Sequence, residues 1–165
     1  MKYAATFTRM WAKVGEQPIV LTPPGRENVY LDGVVDPETG EVFIEEAEST
    51  KAPGFQAYLE HVLARFGEEG TKLWVFLDNA RVHHAKDLKT FLTEVDDRLE
   101  LQFLPAYSPE FNPQERVWRC LRGEETHDTY YPTTGEWRSH IFSFGARYDQ
   151  PNETIRTLCA NCAVI

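Results

Sequence analysis

The spacing of apolar positions changes several times along the chain, and each change predicts an element. Ile19-Val20-Leu21 reads as a short strand, stopped by Thr22-Pro23-Pro24-Gly25. Val29 to Val35 reads as a second strand and Glu41-Val42-Phe43-Ile44-Glu45 as a third. The Asp36-Pro37-Glu38-Thr39-Gly40 turn between them predicts an antiparallel hairpin. From Phe55 the period becomes helical: Phe55, Tyr58, Leu59, Val62, Leu63 and Phe66 share one face, and Gly67 ends it. Leu73-Trp74-Val75-Phe76-Leu77 is unbroken apolar sequence, which suits a strand covered on both faces. It stops at Asp78-Asn79. A polar helix over about Ala85 to Val95 and a strand near Leu99 to Leu104 come next.

Pro105, Pro109 and Pro113 then exclude continuous helix, so the chain up to Phe111 is a loop. Helix resumes at Asn112-Pro113-Gln114-Glu115, with Asn as N-cap and Pro in the first turn. Val117, Trp118 and Leu121 supply its buried face. Residues 134–148 and 152–162 carry weaker helical signals. Hairpin, helix, strand, helix, strand, helix is the order of an α/β layered domain with a mixed sheet. The expectation is a single domain over residues 1–165.

Composition narrows the function classes. A chain that is 42% hydrophobic and 13% aromatic is not disordered. Its net charge of −9 is wrong for gripping nucleic acid through bulk charge, so any DNA contact has to be local. No apolar run approaches the roughly 18 residues of a membrane span. Met1 to Arg9 lacks the apolar stretch of a secretory signal. Three cysteines make no disulfide framework, which points to a reducing, cytoplasmic setting.

Two acids stand out by position. Asp78 ends the apolar strand, at the sheet edge where α/β folds bind ligands. Glu115 sits in the first turn of the helix after the proline loop. Converging carboxylates there would suit a hard divalent cation. Each acid also has a plain structural reading. Asp78 can turn the chain at the strand end. Glu115 can close a capping box with Asn112 or pair with Arg119 one turn on.

The words around these acids resemble a known family. Leu77-Asp78-Asn79-Ala80-Arg81-Val82-His83-His84-Ala85-Lys86 resembles the second acidic motif of mariner-type transposases of bacterial and archaeal insertion sequences. Leu104-Pro105-Ala106-Tyr107-Ser108-Pro109-Glu110-Phe111-Asn112-Pro113-Gln114-Glu115-Arg116-Val117-Trp118 resembles the third. Met10-Trp11-Ala12-Lys13-Val14-Gly15-Glu16-Gln17-Pro18 resembles the segment between the first and second motifs. The resemblance implies an RNase H-like catalytic domain whose three acids hold Mg²⁺ or Mn²⁺. It implies cleavage of transposon ends and their joining to target DNA by two-metal phosphoryl transfer. Asp78 and Glu115 match the second and third acids, as catalytic and metal-binding residues. Asn79 and His83 match the residues flanking the second acid, behind the metal or facing DNA, with a structural cap as an equal alternative. Arg119 and Arg122 share a helix face with Glu115 and are candidates for DNA phosphates, or for an ordinary solvated face.

One part of the pattern is absent. In the family the first acid lies upstream of the Arg-Met-Trp segment. Here that segment starts at Arg9, and Met1 to Gly15 contain no Asp or Glu. Asp32 and Asp36, in the hairpin region, are poor replacements. The expectation is an N-terminally truncated catalytic domain without its first, central strand or a helix-turn-helix region. Two cations about 3.8 Å apart repel by roughly 17 kcal/mol at a dielectric of ~20, so two acids should hold metal weakly or not at all. The isolated chain should then be inactive. Lys2 to Phe7 are candidates to fill part of the central gap. DNA is the implied partner, homo-oligomerisation is left open, and no membrane is implied. The alternative is a non-catalytic nucleic-acid-binding or protein-interaction remnant of the same fold. Cys159-Ala160-Asn161-Cys162 has redox or zinc spacing but no second pair.

Overall fold

A computed structural model of the chain describes residues 1–3, 11–16, 19, 21, 27–47, 49–106 and 108–160. Strands β1 (Lys2–Tyr3) and β2 (Glu27–Asn28) pair antiparallel. The chain then enters the hairpin of β3 (Leu31–Val35) and β4 (Val42–Glu46). Helix α1 (Ala52–Phe66), strand β5 (Leu73–Leu77), helix α2 (Leu88–Glu94) and strand β6 (Leu99–Phe103) follow. Helices α3 (Pro113–Leu121), α4 (Thr134–Arg147) and α5 (Glu153–Cys159) complete the described chain.

The hairpin forms where the turn chemistry dictates. The Asp36 carboxylate accepts from the Glu38 N–H and the Thr39 hydroxyl, both at 2.8 Å. Gly40 then takes φ +76°, a left-handed conformation that glycine adopts without strain. Helix starts follow the same logic. The Asn112 side chain accepts from the Gln114 N–H at 3.0 Å, Thr133 from Glu136 at 3.2 Å, and Asn152 from Thr154 at 3.0 Å.

Strand alternation gives the hairpin two buried faces. Leu31, Val35, Val42 and Ile44 join a core with Val117, Leu121, Trp137, Ile141, Phe144 and Ile155 of α3, α4 and α5. Val34 and Phe43 face the opposite core, with Phe55, Tyr58, Leu59 and Val62 of α1. Leu73, Val75, Leu77, Leu99 and Leu101 of β5 and β6 pack into that second core, together with Leu88 and Phe91 of α2. Helices thus lie on both sides of the hairpin and on one side of the β5–β6 pair.

Beyond α3 the chain winds as a π-turn over Arg122–Thr126. There Glu125, nearly buried, accepts from Arg147 at 2.8 Å, and His140 lies 3.1 Å away. The Tyr131 hydroxyl donates to the Glu125 carbonyl. These bonds tie the end of α3 to α4 and supply partners for a charge that burial alone would not tolerate.

Several expectations need correction. β5 is not covered on both faces: Trp74 and Phe76 are about half exposed, at 52% and 50%. The helices after β6 pack on the hairpin and leave this face open. Ile19 and Leu21 lie outside any strand and are exposed, while Val20 falls outside the described residues. The second strand begins at Leu31 rather than Val29, because Val29 bonds to Met1 instead of β4. The polar helix after Asp78 splits into a 3₁₀ turn, Arg81–His84, and α2. Lys2 and Tyr3 do not fill a gap between the sheets, since they pair with Asn28 and Glu27; residues 4–7 lie outside the described chain. No hydrogen-bonded strand joins the hairpin to the β5–β6 pair among the described residues.

A Cβ added at Gly40 would stand 2.0 Å from the Asn152 carbonyl, in a left-handed backbone. Gly40→Ala is expected to cost about 1–3 kcal/mol. At this chain length that lowers the thermal midpoint by roughly 3–10 °C, measurable by circular dichroism.

Candidate functional site

The site begins with strand register. β5 and β6 are parallel with Leu77 beside Phe103, and the Leu104 N–H donates to the Leu77 carbonyl at 2.9 Å. Asp78 and the proline loop therefore leave the sheet at one edge. The Asn79 side-chain amide donates to the Leu104 carbonyl at 2.6 Å, joining the two loops directly.

Asp78 is held from below and open above. Its Oδ1 accepts from the Ala80 N–H at 3.0 Å, the Asx turn anticipated for an acid at a strand end. The His83 Nδ1 lies 3.0 Å from the Asp78 carbonyl and 3.2 Å from Oδ1. A proton on Nδ1 satisfies both oxygens. The His83 side chain is 16% exposed and packs on Phe55 at 4.4 Å between ring centroids, whereas the Asp78 side chain is 65% exposed. His84 stacks on Phe103 at 4.3 Å. Asn79 and His83 thus both brace the Asp78 loop through the protein itself.

Glu115 is the third residue of α3 and half-buried. Its N–H donates to the Asn112 carbonyl at 3.1 Å. Its carboxylate neither closes a capping box nor pairs with Arg119, and has no hydrogen-bond or ion-pair partner among the described residues. Both plain structural readings of Glu115 are therefore unfilled. Arg119 is exposed and likewise without an ion-pair partner among the described residues, and Arg122 ends α3 half-buried. Arg116 turns inward and donates to the Leu158 carbonyl at 2.9 Å.

Asp78 follows β5 and Glu115 opens α3 beyond the proline loop, and among the described residues no ion pair or hydrogen bond commits the Glu115 carboxylate elsewhere. Among the described residues, no group of three or more His, Cys, Asp or Glu stands ready to hold a metal ion. Oxygen donors that remain uncommitted fit a hard cation in kind, and two carboxylates fall short of it in number.

Sequence reasoning set Asp32 aside. In the structure it shares a cavity of about 290 Å³ with His83, the residue that braces Asp78. Burial, with the Glu45 carboxylate adding to it, pushes the Asp32 carboxyl up, and His83 opposes the shift. Its position on β3 carried no sequence signal, because the cavity joins the hairpin to a turn about fifty residues later. The cysteines recede. Burial and a hydrogen bond to Glu124 push the Cys120 thiol up to about 11, so it stays protonated at neutral pH. Cys159 is buried, and Cys162 lies outside the described residues. No described helix is long and apolar enough to cross a membrane.

A similar fold is found among solved proteins. A chain of the Mos1 strand transfer complex superposes with a TM-score of 0.66 at 16% identity, covering 98% of this chain and 48% of that one. The fold is RNase H-like, with helices packed on an antiparallel hairpin and a parallel strand pair. Residues 2–136 match the family model described as DDE superfamily endonuclease, and the chain belongs to that family. The insertion element IS630 39 kDa protein of Shigella sonnei is 29% identical over 119 residues, which are 72% of this chain and 33% of the relative. Protein y4pE/y4sA of Sinorhizobium fredii is 38% identical over 69 residues, 41% of this chain and 47% of the relative. The chain spans a third to a half of the length of these relatives.

Two outcomes follow from the bonds around Asp78. Asn79→Ala removes the donor to Leu104 and is expected to cost about 1–2 kcal/mol in urea unfolding. Asp32→Asn acts through pH. A carboxyl whose folded value is raised favours the folded state below its unfolded value and loses that contribution as pH rises through the folded one. Asp32→Asn is therefore expected to raise the thermal midpoint near pH 7 and leave it unchanged below about pH 3.

Proposed function

We propose that the chain is catalytic-domain sequence of a DNA transposase, with Asp78 and Glu115 as two of its three metal-binding acids. The observation that carries this reading is the uncommitted Glu115 carboxylate. It heads a helix fed by the loop that Asn79 fastens to the Asp78 strand end. Membership of the DDE endonuclease family and the RNase H-like fold support it.

Asp78 and Glu115 would hold Mg²⁺ or Mn²⁺ through oxygen atoms, the donors such ions prefer. When bound, the metal supplies activation of an attacking oxygen and stabilisation of the leaving one in phosphoryl transfer. The chain's own residues supply position. His83 and Asn79 fix the Asp78 loop, so that its carboxylate meets a cation without first being ordered. Arg119 and Arg122 are offered to DNA phosphates along the α3 face that begins at Glu115. Transposon ends and target DNA are the substrates in this reading.

The first acid of the family pattern is not among Met1 to Gly15. In this reading the 165-residue chain alone does not cut DNA. The second reading is a non-catalytic nucleic-acid-binding or protein-interaction remnant of the same fold.

Incubation with Mn²⁺ separates the readings. Paramagnetic broadening of amides around Asp78 and Glu115, lost in Glu115→Gln, is expected if the two acids share a cation. A chain carrying the upstream acid should then nick DNA that bears the flanking inverted repeats, with nicking reduced at least about a hundredfold by Glu115→Gln. DNA binding without broadening or nicking would sink the catalytic reading. Arg119→Ala should flatten the salt dependence of DNA binding by about one unit of slope.

A further inference from the structure

The turn that follows Asp78 sorts its side chains into two directions. Arg81–His84 is a 3₁₀ turn, in which residues three apart stand one above the other. Val82 packs into the α1 core, and His83 is held by Asp78 and Phe55. Arg81 and His84, at the two ends of the turn, share the remaining side, and both are exposed. Arg81 has no hydrogen-bond or ion-pair partner among the described residues, and neither has Lys86, which is also exposed. From Arg81 to Lys89 the chain carries three permanent cations against one acid, Asp87, in a protein of net charge −9. This stretch is a local reversal of the overall sign.

His84 differs from His83 in what it touches. It makes no hydrogen bond among the described residues, and its ring lies on Phe103 with 4.3 Å between centroids and 23° between planes. Phe103 closes β6 and is 40% exposed, so the pair forms an aromatic surface open to solvent rather than a part of the core. The strand register fixes its place. Phe103 stands beside Leu77 in the parallel ladder, about 5 Å away, and Asp78 is the next residue of the chain. The Asn79 amide, bonded to the Leu104 carbonyl, ties the two segments just beyond that point. The ring pair and the Asp78 carboxylate therefore lie at one edge of the strand pair.

We propose that His84 and Phe103 form a stacking platform for one unpaired DNA base, with Arg81 and Lys86 holding the phosphates on either side of it. Rings of this kind take a base by its face, whatever its identity, while cations meet the backbone. A base inside a duplex is excluded, because its neighbours already cover both of its faces. An acidic peptide would satisfy the cations and leave the rings open, whereas a nucleotide uses both. The inference deepens the reading of this edge as one that processes DNA, and rests on it for the choice of DNA as occupant. A nucleotide lifted from the helix beside Asp78 recovers on the platform part of the stacking it has lost.

The test titrates the 165-residue chain, without metal, with labelled oligothymidine and with an abasic strand carrying the same number of phosphates. Oligothymidine is expected to bind about fivefold or more tightly than the abasic strand. That difference should vanish in His84→Ala and persist in His84→Phe, which keeps a ring. In the unaltered protein the His84 ring protons should move upfield with oligothymidine and stay in place with the abasic strand or a blunt duplex, a readout that needs no variant to fold. Equal binding of the two strands, binding of neither, or a difference that survives His84→Ala overturns the platform. Tighter binding of oligouridine than of oligothymidine overturns DNA as the occupant in favour of RNA. Mn²⁺ broadening at Asp78 and Glu115 without base-dependent binding sinks the platform and leaves the catalytic reading standing; base-dependent binding without broadening does the reverse.

Discussion

Leu31, Gly33 and Val35 leave one side of β3 and Asp32 and Val34 leave the other, and each side meets a different helical layer. That alternation is the constraint on which the remaining geometry rests. A one-residue slip would exchange the two faces and place Asp32 against α3. The Asp36 turn and Gly40 prevent the slip by fixing where the hairpin reverses. Gly33 has a further role, since its missing Cβ leaves room for Trp118 and Gln114. Trp118 and Gln114 belong to α3, so the same glycine sets how close the helix bearing Glu115 comes to the sheet.

The candidate site inherits its position from that packing. One acid ends a parallel strand and the other opens a helix, and the Asn79 bond to Leu104 holds the intervening loops together. The environments of the acids differ in a useful way. Asp78 is oriented by His83 and its own turn while staying exposed. Glu115 is half-buried and unpaired among the described residues, in the first turn of a helix, where a negative charge is favoured. A buried or half-buried polar group left unbonded costs free energy, so such groups mark places where the folded chain is arranged for something besides its own stability. The unbonded Gln114 and Tyr58 side chains belong to the same category on either side of β3.

Much of the architecture was legible from periodicity. Helices α1, α4 and α5, the hairpin, the parallel pair and the α3 start are where apolar spacing and cap residues put them. The candidate acids stand out only as words, because Asp78 and Glu115 taken singly are an ordinary turn residue and an ordinary helix residue. The open face of β5 was not legible. Trp74 and Phe76 look like buried strand residues, and nothing in a local window says which sheet face the later helices will cover. The nearness of Asp32 to His83 was hidden for the same reason, since the two meet only when α1 brings the hairpin and the β5 edge together.

Sequence by itself determined the local conformations and the chemistry available. Asx turns, N-caps, prolines and alternation act over a few residues, so their outcome is written within a few residues. Tertiary structure alone decided which groups went without partners among the described residues: the Glu115 carboxylate, the Gln114 amide and the Tyr58 hydroxyl. Partnership is a property of the space around a group, and that space is filled by residues far away in the chain.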